Sequence, residues 1–383
     1  MKKTFSLIAI ILVLAMTVGI AVSQFQSDKL GFDDKERVRR RFQGYVDSRG
    51  FSGVVLALYH NDLIYDQGFG MATDSLKNSS DVAYGVASLT KQVTAAAIMQ
   101  LQEQGKLDTS DMLSKYFPGY RYGDEIKIWH LLAQRSGIPD YSVNTIDDKV
   151  VVTCYERPSE IVIGANSPAE LNQSKIRAFF LSQDLLFEPG TEYDYSDSNY
   201  ALLAEIITRV SGMSYHDYIR QNIFAPLEMA QSAFIDDYDP NLISKVAQTD
   251  RDEFSIDYFS VKGAEYGCGD ILTTPKDLYR WYQGFTSGKV VSDQSYLYMT
   301  TNYSQPDELG YGYGLMISNK SDSKVLYHYG YIPSYYSSMI YVPEQDYFQV
   351  VISNHAKGDP HRMAADMARY FGTVIKVKFI GIE

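Results

Sequence analysis

The first pair along the chain able to do chemistry is Ser88 and Lys91, in Ser88-Leu89-Thr90-Lys91 at the head of an Ala-rich stretch. On a helix, residues three apart share a face, so the lysine amine can reach the serine hydroxyl. A serine hydroxyl is a weak nucleophile until a base stands beside it, and a desolvated lysine is one such base. The spacing alone selects little, because Ser321 to Lys324 repeats it in a polar loop with no helix behind. Context singles out the first copy: Tyr84-Gly85-Val86-Ala87 precedes it, and an apolar stretch fit for burial follows. Two further motifs are Tyr195-Ser196-Asp197 and His328-Tyr329-Gly330, where a histidine on a strand could be a satisfied core residue. Tyr195 is one of 32 tyrosines, so without its motif packing is the default role. His130 reads as structural, at a helix start, and His355 and His361 lack carboxylate or cysteine partners at metal spacing. No metal and no other cofactor is expected. Gly-x-Ser-x-Gly, a phosphate-binding glycine loop and His-Glu-x-x-His are all missing from the sequence, which sets aside the chemistries they serve.

The elements that must position these residues follow from periodicity. Residues 33–48 put Val38, Phe42 and Val46 on one stripe, which predicts a helix with Asp33–Arg41 on its solvated side. Gly53–His60 and Leu63–Gly68 read as two strands of a hairpin turning at Asn61-Asp62. Ser88–Gln104 predicts a helix stopped by Gly105. The middle of the chain, about 110–260, is patterned mostly as helix, for example over Asn199–Val210 and Tyr215–Ile223. Strands return at Tyr313–Ile317, Val325–Tyr329, Ser337–Val342 and Phe348–Ser353, and a helix over about 360–371 closes the pattern. The implied class is α/β (α+β): a mostly antiparallel sheet built from both chain ends, flanked by helices, with an all-helical lobe inserted. The catalytic domain would span 33–372, its α/β lobe about 33–110 plus 262–372 and its helical lobe about 111–261. Segment 141–174 holds two apolar runs, Val150–Thr153 and Ile161–Ile163, and reads as a folded excursion bordering the cleft.

Other motifs stand in order around Ser88. They are His130-Leu131-Leu132 with Ser136-Gly137-Ile138-Pro139-Asp140-Tyr141, then Phe187-Glu188-Pro189-Gly190-Thr191 with Tyr195-Ser196-Asp197. Phe224-Ala225-Pro226-Leu227-Glu228-Met229 and His328-Tyr329-Gly330 complete the set. From about Phe42 to Phe371 the ordered set resembles the β-lactamase-related serine hydrolases, which include class C β-lactamases, D-alanyl-D-alanine carboxypeptidases, D-aminopeptidases and esterases. The resemblance implies a β-lactamase/transpeptidase-like fold and an acyl-serine mechanism. Ser88 would be the nucleophile, Lys91 its partner and Tyr195 the general base or proton shuttle. His328-Tyr329-Gly330 would lie on a strand beside the nucleophile, His328 on the leaving-group side, with the Ser88 and Tyr331 amides as oxyanion hole. The chain departs from that pattern at three places: Asp197 stands where Asn is common, His328 where a β-lactamase has Lys, and Tyr329 where Thr or Ser is frequent. A carboxylate near Lys91 would favour the ammonium and repel a substrate carboxylate. The activity implied is that of a peptidase or esterase on small amides or esters, with weak or no β-lactamase action. The alternative is a penicillin-binding-like protein that binds envelope peptide with little or no turnover.

Composition narrows the partners. The formal net charge of −12 disfavours a phosphate backbone, so no nucleic acid is expected. Hydrophobic residues at 45% and charged ones at 21% exclude a disordered chain. Lys2 and Lys3 precede an uncharged apolar run from Thr4 to Val22, and Ala21 and Ser23 suit a signal-peptidase site. Residues 1–23 therefore read as a cleaved signal or a retained membrane anchor, and either reading puts the rest of the chain outside the cytoplasm. In such a compartment Cys154 and Cys268 could pair, or remain two buried thiols.

Overall fold

The computed structural model describes residues 30–379 except 147–148, 155–156, 166–171, 249–262, 306–309, 319–322, 333–334 and 356–357. The apolar run of residues 1–23 and the Ser321 copy of the serine–lysine spacing lie outside the described residues. Helix α1 (Phe32–Arg49) buries Val38, Phe42 and Val46, as their four-residue spacing requires, and stops at Gly50 in the left-handed region. Strands β1 (Gly53–Tyr59) and β2 (Asp62–Phe69) form the first hairpin.

The main sheet joins these to β9 (Met316–Ser318), β10 (Val325–Ile332), β11 (Tyr335–Val342) and β12 (Tyr347–Ser353). Its order is β2-β1-β12-β11-β10-β9, antiparallel throughout, with β1 paired to β12 so that the two chain ends share one sheet. The central strands are apolar on both faces, because each face is covered. Val55, Ala57, Ile340 and Val351 pack against α1 and the last helix, α9 (Pro360–Ile375). Val54, Leu56, Met339 and Val350 pack toward α2 (Thr90–Glu103) and α7 (Pro275–Thr286). An Arg49–Asp366 ion pair at 2.6 Å ties α1 to α9.

Between β2 and β9 the chain builds the remainder. A small sheet has the order β3 (Tyr84–Gly85), β8 (Ile271–Thr273), β7 (Ala233–Phe234). Besides α2 and α7, the described helices here are α3 (Ile128–Leu132), α4 (Gln173–Ser182), α5 (Asp197–Ser211), α6 (Tyr215–Ile219) and α8 (Asp293–Met299). Helix α6 passes into one π turn over Arg220–Phe224, where an uninterrupted helix to Ile223 was expected. The inserted lobe is also not all-helical. An antiparallel meander is formed there by β4 (Tyr141–Ile146), β5 (Lys149–Cys154) and β6 (Arg157–Ala165). The folded excursion is thus a small sheet, and its β-branched run Val150–Thr153 is the central strand that two neighbours pair. Cys154 and Cys268 are both buried and not joined in a disulfide, so the disulfide alternative is excluded.

Candidate functional site

Ser88 lies in a 3₁₀ turn (Ala87–Leu89) between β3 and α2, where a continuous helix from Ser88 was expected. The cause is Ala87, whose φ of 49° puts a non-glycine residue in the left-handed region. That conformation costs ~1–2 kcal/mol for an L-residue, and it is held here by packing on both sides. The turn presents the Ser88 side chain, partly exposed, at the end of a helix in which eleven of fourteen residues are buried.

Lys91 is one of those eleven and is fully buried. Its ammonium meets three groups: Nζ donates to Ser88 Oγ at 2.9 Å and to the Cys268 carbonyl at 2.9 Å, and stands 2.5 Å from Asp197 Oδ1. The last contact is an ion pair rather than a hydrogen bond. Burial alone would lower the lysine pKa, but the carboxylate of Asp197, aided by Tyr195 and Cys268, outweighs it and holds the pKa well above the usual lysine value. Lys91 therefore rests as an ammonium.

Tyr195 enters from the loop before α5. The Lys91 Nζ lies 4.8 Å from its ring centroid, and its hydroxyl is buried without a hydrogen-bond partner. Burial drives the phenol pKa far up, the Lys91 ammonium opposes this only partly, and the neutral phenol persists. Asp197 begins α5 two residues after Tyr195, which is why the two reach Lys91 together; its amide donates to Asp140 Oδ1 at 2.7 Å.

The third motif is on β10, against the nucleophile turn. Gly330 makes the approach possible: a Cβ there would lie 2.4 Å from the Val86 carbonyl oxygen and 2.3 Å from Ser337 Oγ. Ser337 Oγ in turn donates to that same carbonyl at 2.7 Å. His328 calls for a correction, because it offers no free nitrogen to a leaving group. It is 1% exposed, its Nδ1 donates to the Tyr329 carbonyl at 2.6 Å, and its Nε2 accepts from the Tyr311 hydroxyl at 3.2 Å. Burial, with Lys91 adding to it, lowers its pKa to about 3, so the ring stays neutral. Tyr331 follows Gly330 on the same strand; its side chain is exposed and its ring lies 4.9 Å from that of Tyr336.

Ser88, Lys91, Tyr195, Asp197, His328 and Gly330 are thus brought together around one turn. His130 is buried, its Nδ1 accepting from the Lys127 amide at 3.1 Å, a structural role. His361 stacks on Tyr329 at 4.8 Å and reaches the Gly330 carbonyl at 3.3 Å, bracing β10 from behind. Three participants were not anticipated: Tyr311, which holds His328 and sits edge-on to Tyr195 at 6.1 Å; Gly314, packed on the Lys91 backbone; and the Cys268 carbonyl. Only the Tyr311-Gly312-Tyr313-Gly314 alternation hinted at a close approach in that stretch. Asp197, Glu265 and Cys268 place ligand atoms within 4.8 Å of one another. The Lys91 ammonium already neutralises Asp197 there, and burial raises the Cys268 thiol well above its usual pKa, so the trio is a poor cation site.

The family described as Beta-lactamase matches residues 38–372. The chain is 30% identical over 299 residues to the putative penicillin-binding protein PbpX of Bacillus subtilis (strain 168), a match covering 77% of this chain and 68% of the relative. Among solved structures it resembles the octameric penicillin-binding protein homologue from Pyrococcus abyssi, with a TM-score of 0.72, 26% identity, and 89% and 77% of the two chains covered. The D-amino acid amidase from Ochrobactrum anthropi SV3 shares the fold at a TM-score of 0.69 and 22% identity, covering 90% of this chain and 98% of the amidase.

Proposed function

Because the chain belongs to the Beta-lactamase family, we propose that it is an exported serine hydrolase acting through an acyl-serine intermediate on small amide or ester substrates. Its reaction would be of the D-amino peptide peptidase or esterase kind, with weak or no β-lactamase activity. The observation that carries this reading is the 2.9 Å hydrogen bond from a fully buried Lys91 amine to Ser88 Oγ. Once Lys91 has lost its proton, the amine takes the proton of Ser88 as Oγ bonds to the substrate carbonyl carbon. The carbonyl π electrons move onto oxygen, and the Ser88 and Tyr331 amides are the donors assigned to that oxyanion. Collapse breaks the bond to the leaving group, which takes a proton from Lys91 by way of Tyr195. Water then attacks the acyl ester by the same route and releases the acid.

Two features support a substrate without a carboxylate near the reacting bond. Asp197 places negative charge beside Lys91, and the His328 ring, held neutral, supplies no cation where a β-lactamase-type lysine would stand. Export rests on Lys2, Lys3 and the apolar run to Val22. Retention of that run would tether the domain to a membrane by its N-terminal segment. A second reading, a penicillin-binding-like envelope peptide binder with little or no turnover, is favoured by the same Asp197–Lys91 pair, which holds the base in its inactive form.

The test is intact-mass detection of acyl adducts over time with D-amino esters, D-Ala-D-Ala peptides and β-lactams. Transient adducts with product release on esters or peptides support the hydrolase. A persistent adduct without product supports the binder, and fast β-lactam turnover overturns the substrate reading.

A further inference from the structure

Gly267–Ile271, the segment leading into β8, grips the nucleophile turn and its helix at four points. The Gly267 carbonyl accepts from Thr94 Oγ1 at 2.8 Å, and the Cys268 carbonyl accepts from Lys91 Nζ at 2.9 Å. The Ile271 amide donates to Thr90 Oγ1 at 3.2 Å, and the Ile271 carbonyl accepts from the Val86 amide at 3.0 Å. Asp270 lies inside this clasp, 2% exposed, and its side chain hydrogen-bonds to none of the four.

The Asp270 carboxylate instead faces the inserted lobe, where Oδ2 meets His216 Nε2 on α6 at 2.9 Å. Its other oxygen, Oδ1, is buried without a hydrogen-bond partner, so His216 is the one cation paired with it among the described residues. The imidazole is itself fixed on every side. Nδ1 meets Asp237 at 3.2 Å, Asp237 also pairs with Arg220, the ring stacks on Phe234 at 3.8 Å, and Tyr266 lies 5.5 Å away. The preceding residue, Tyr215, shares a 2.7 Å hydrogen bond with Thr94 Oγ1, the same hydroxyl that reaches the Gly267 carbonyl. One turn of α6 thus backs both the clasp and the nucleophile helix.

We propose that the His216–Asp270 ion pair is the positioning device of this active site, holding the Gly267–Ile271 segment so that the Cys268 carbonyl keeps the Lys91 amine on Ser88. The proposal rests on the serine-hydrolase reading above. Neither residue touches substrate; both act through Lys91. Burial disfavours the imidazolium, but the hydrogen bonds and charges of Asp237 and Asp270 outweigh it and push the His216 pKa up to about 9. The pair is therefore intact at neutral pH and is lost as pH rises through about 9, leaving Asp270 a buried carboxylate without its cation.

The experiment uses the full chain and two variants, His216→Gln and His216→Gln/Asp270→Asn, the second restoring a neutral hydrogen-bonded pair. The readouts are the fluorophosphonate labelling rate at Ser88, kcat and KM on p-nitrophenyl acetate per titrated site, and the melting temperature. His216→Gln should lower labelling and kcat by about tenfold or more with KM nearly unchanged, because the error is in geometry rather than substrate contact. The double variant should recover most of that loss. The rise in labelling with pH that follows Lys91 deprotonation is common to all three proteins, so the ratio of wild-type to double-variant labelling should fall as pH rises through about 9 while the fold persists. Folded His216→Gln labelling at the wild-type rate overturns the proposal. Should neither variant fold, a wild-type labelling rate that climbs through pH 9 with the unbroken slope of Lys91 deprotonation overturns it equally. Wild-type protein that does not label at Ser88 at all would instead refute the serine-hydrolase reading.

Discussion

Gly330→Ala isolates one demand of the site, that β10 come within touching distance of the nucleophile turn. The φ of Gly330 lies outside the left-handed region, so alanine meets no backbone strain and the substitution tests space alone. The new methyl would lie 2.4 Å from the Val86 carbonyl oxygen, 2.3 Å from Ser337 Oγ and 3.1 Å from the Ala87 Cβ. Relieving the backbone contact to an ordinary separation moves the strand and the turn apart by about 1 Å. A displacement of that size costs ~10²-fold in rate, and overpacking costs ~1–3 kcal/mol of stability. The assay is kcat/KM on a neutral ester, normalised to folded protein, with a thermal melt alongside. Adding Ser337→Ala removes one clash but leaves the Val86 oxygen at 2.4 Å, so the double variant should stay impaired. Gly330→Ala within about threefold of wild type would refute the argument that this approach shapes the site.

Asp197→Asn removes the carboxylate that raises the Lys91 pKa, so the limb of the pH–rate profile that needs neutral amine should move to lower pH, and acylation by carboxylate-bearing substrates should rise. An unmoved limb with unchanged penicillin acylation would show that Asp197 does not tune Lys91. Replacing residues 142–165 by a short Gly/Ser linker should change the ratio of kcat/KM between large and small substrates by about tenfold. The meander starts from Tyr141, whose hydroxyl lies 3.6 Å from Cys268 Sγ, so loss of folding with an unchanged ratio would count against its bordering the cleft. Reducing agent should leave the melting temperature unchanged, since the two cysteines form no disulfide; a cross-link between them would have added ~4–5 kcal/mol, visible on reduction.

What could be read in the sequence was what depends on local spacing. Ser88 and Lys91 share one helical turn, Tyr195 and Asp197 are two residues apart at a helix start, and the stripe of α1 is a four-residue repeat. The sheet from both chain ends followed from strand patterns at either end. What depends on distant partners could not be read. The Cys268 carbonyl is 177 residues from the lysine it holds, and no local pattern marks a backbone acceptor. His328 looked available for chemistry because its burial is set by Tyr311 and by the main chain of Tyr329, neither visible in a three-residue motif. The meander was recognised as folded but placed in an all-helical lobe, because its apolar runs are short enough to fit either period.

The central claim is that Ser88 is a nucleophile activated by Lys91. Its most direct measurement is intact mass and peptide mapping after fluorophosphonate treatment of wild type, Ser88→Ala and Lys91→Ala, each with its melting temperature. One adduct mapping to Ser88 in wild type is predicted, with none in Ser88→Ala at an undisturbed fold and a much slower adduct in Lys91→Ala. An adduct that survives Ser88→Ala, or wild-type labelling at another residue, would contradict the account.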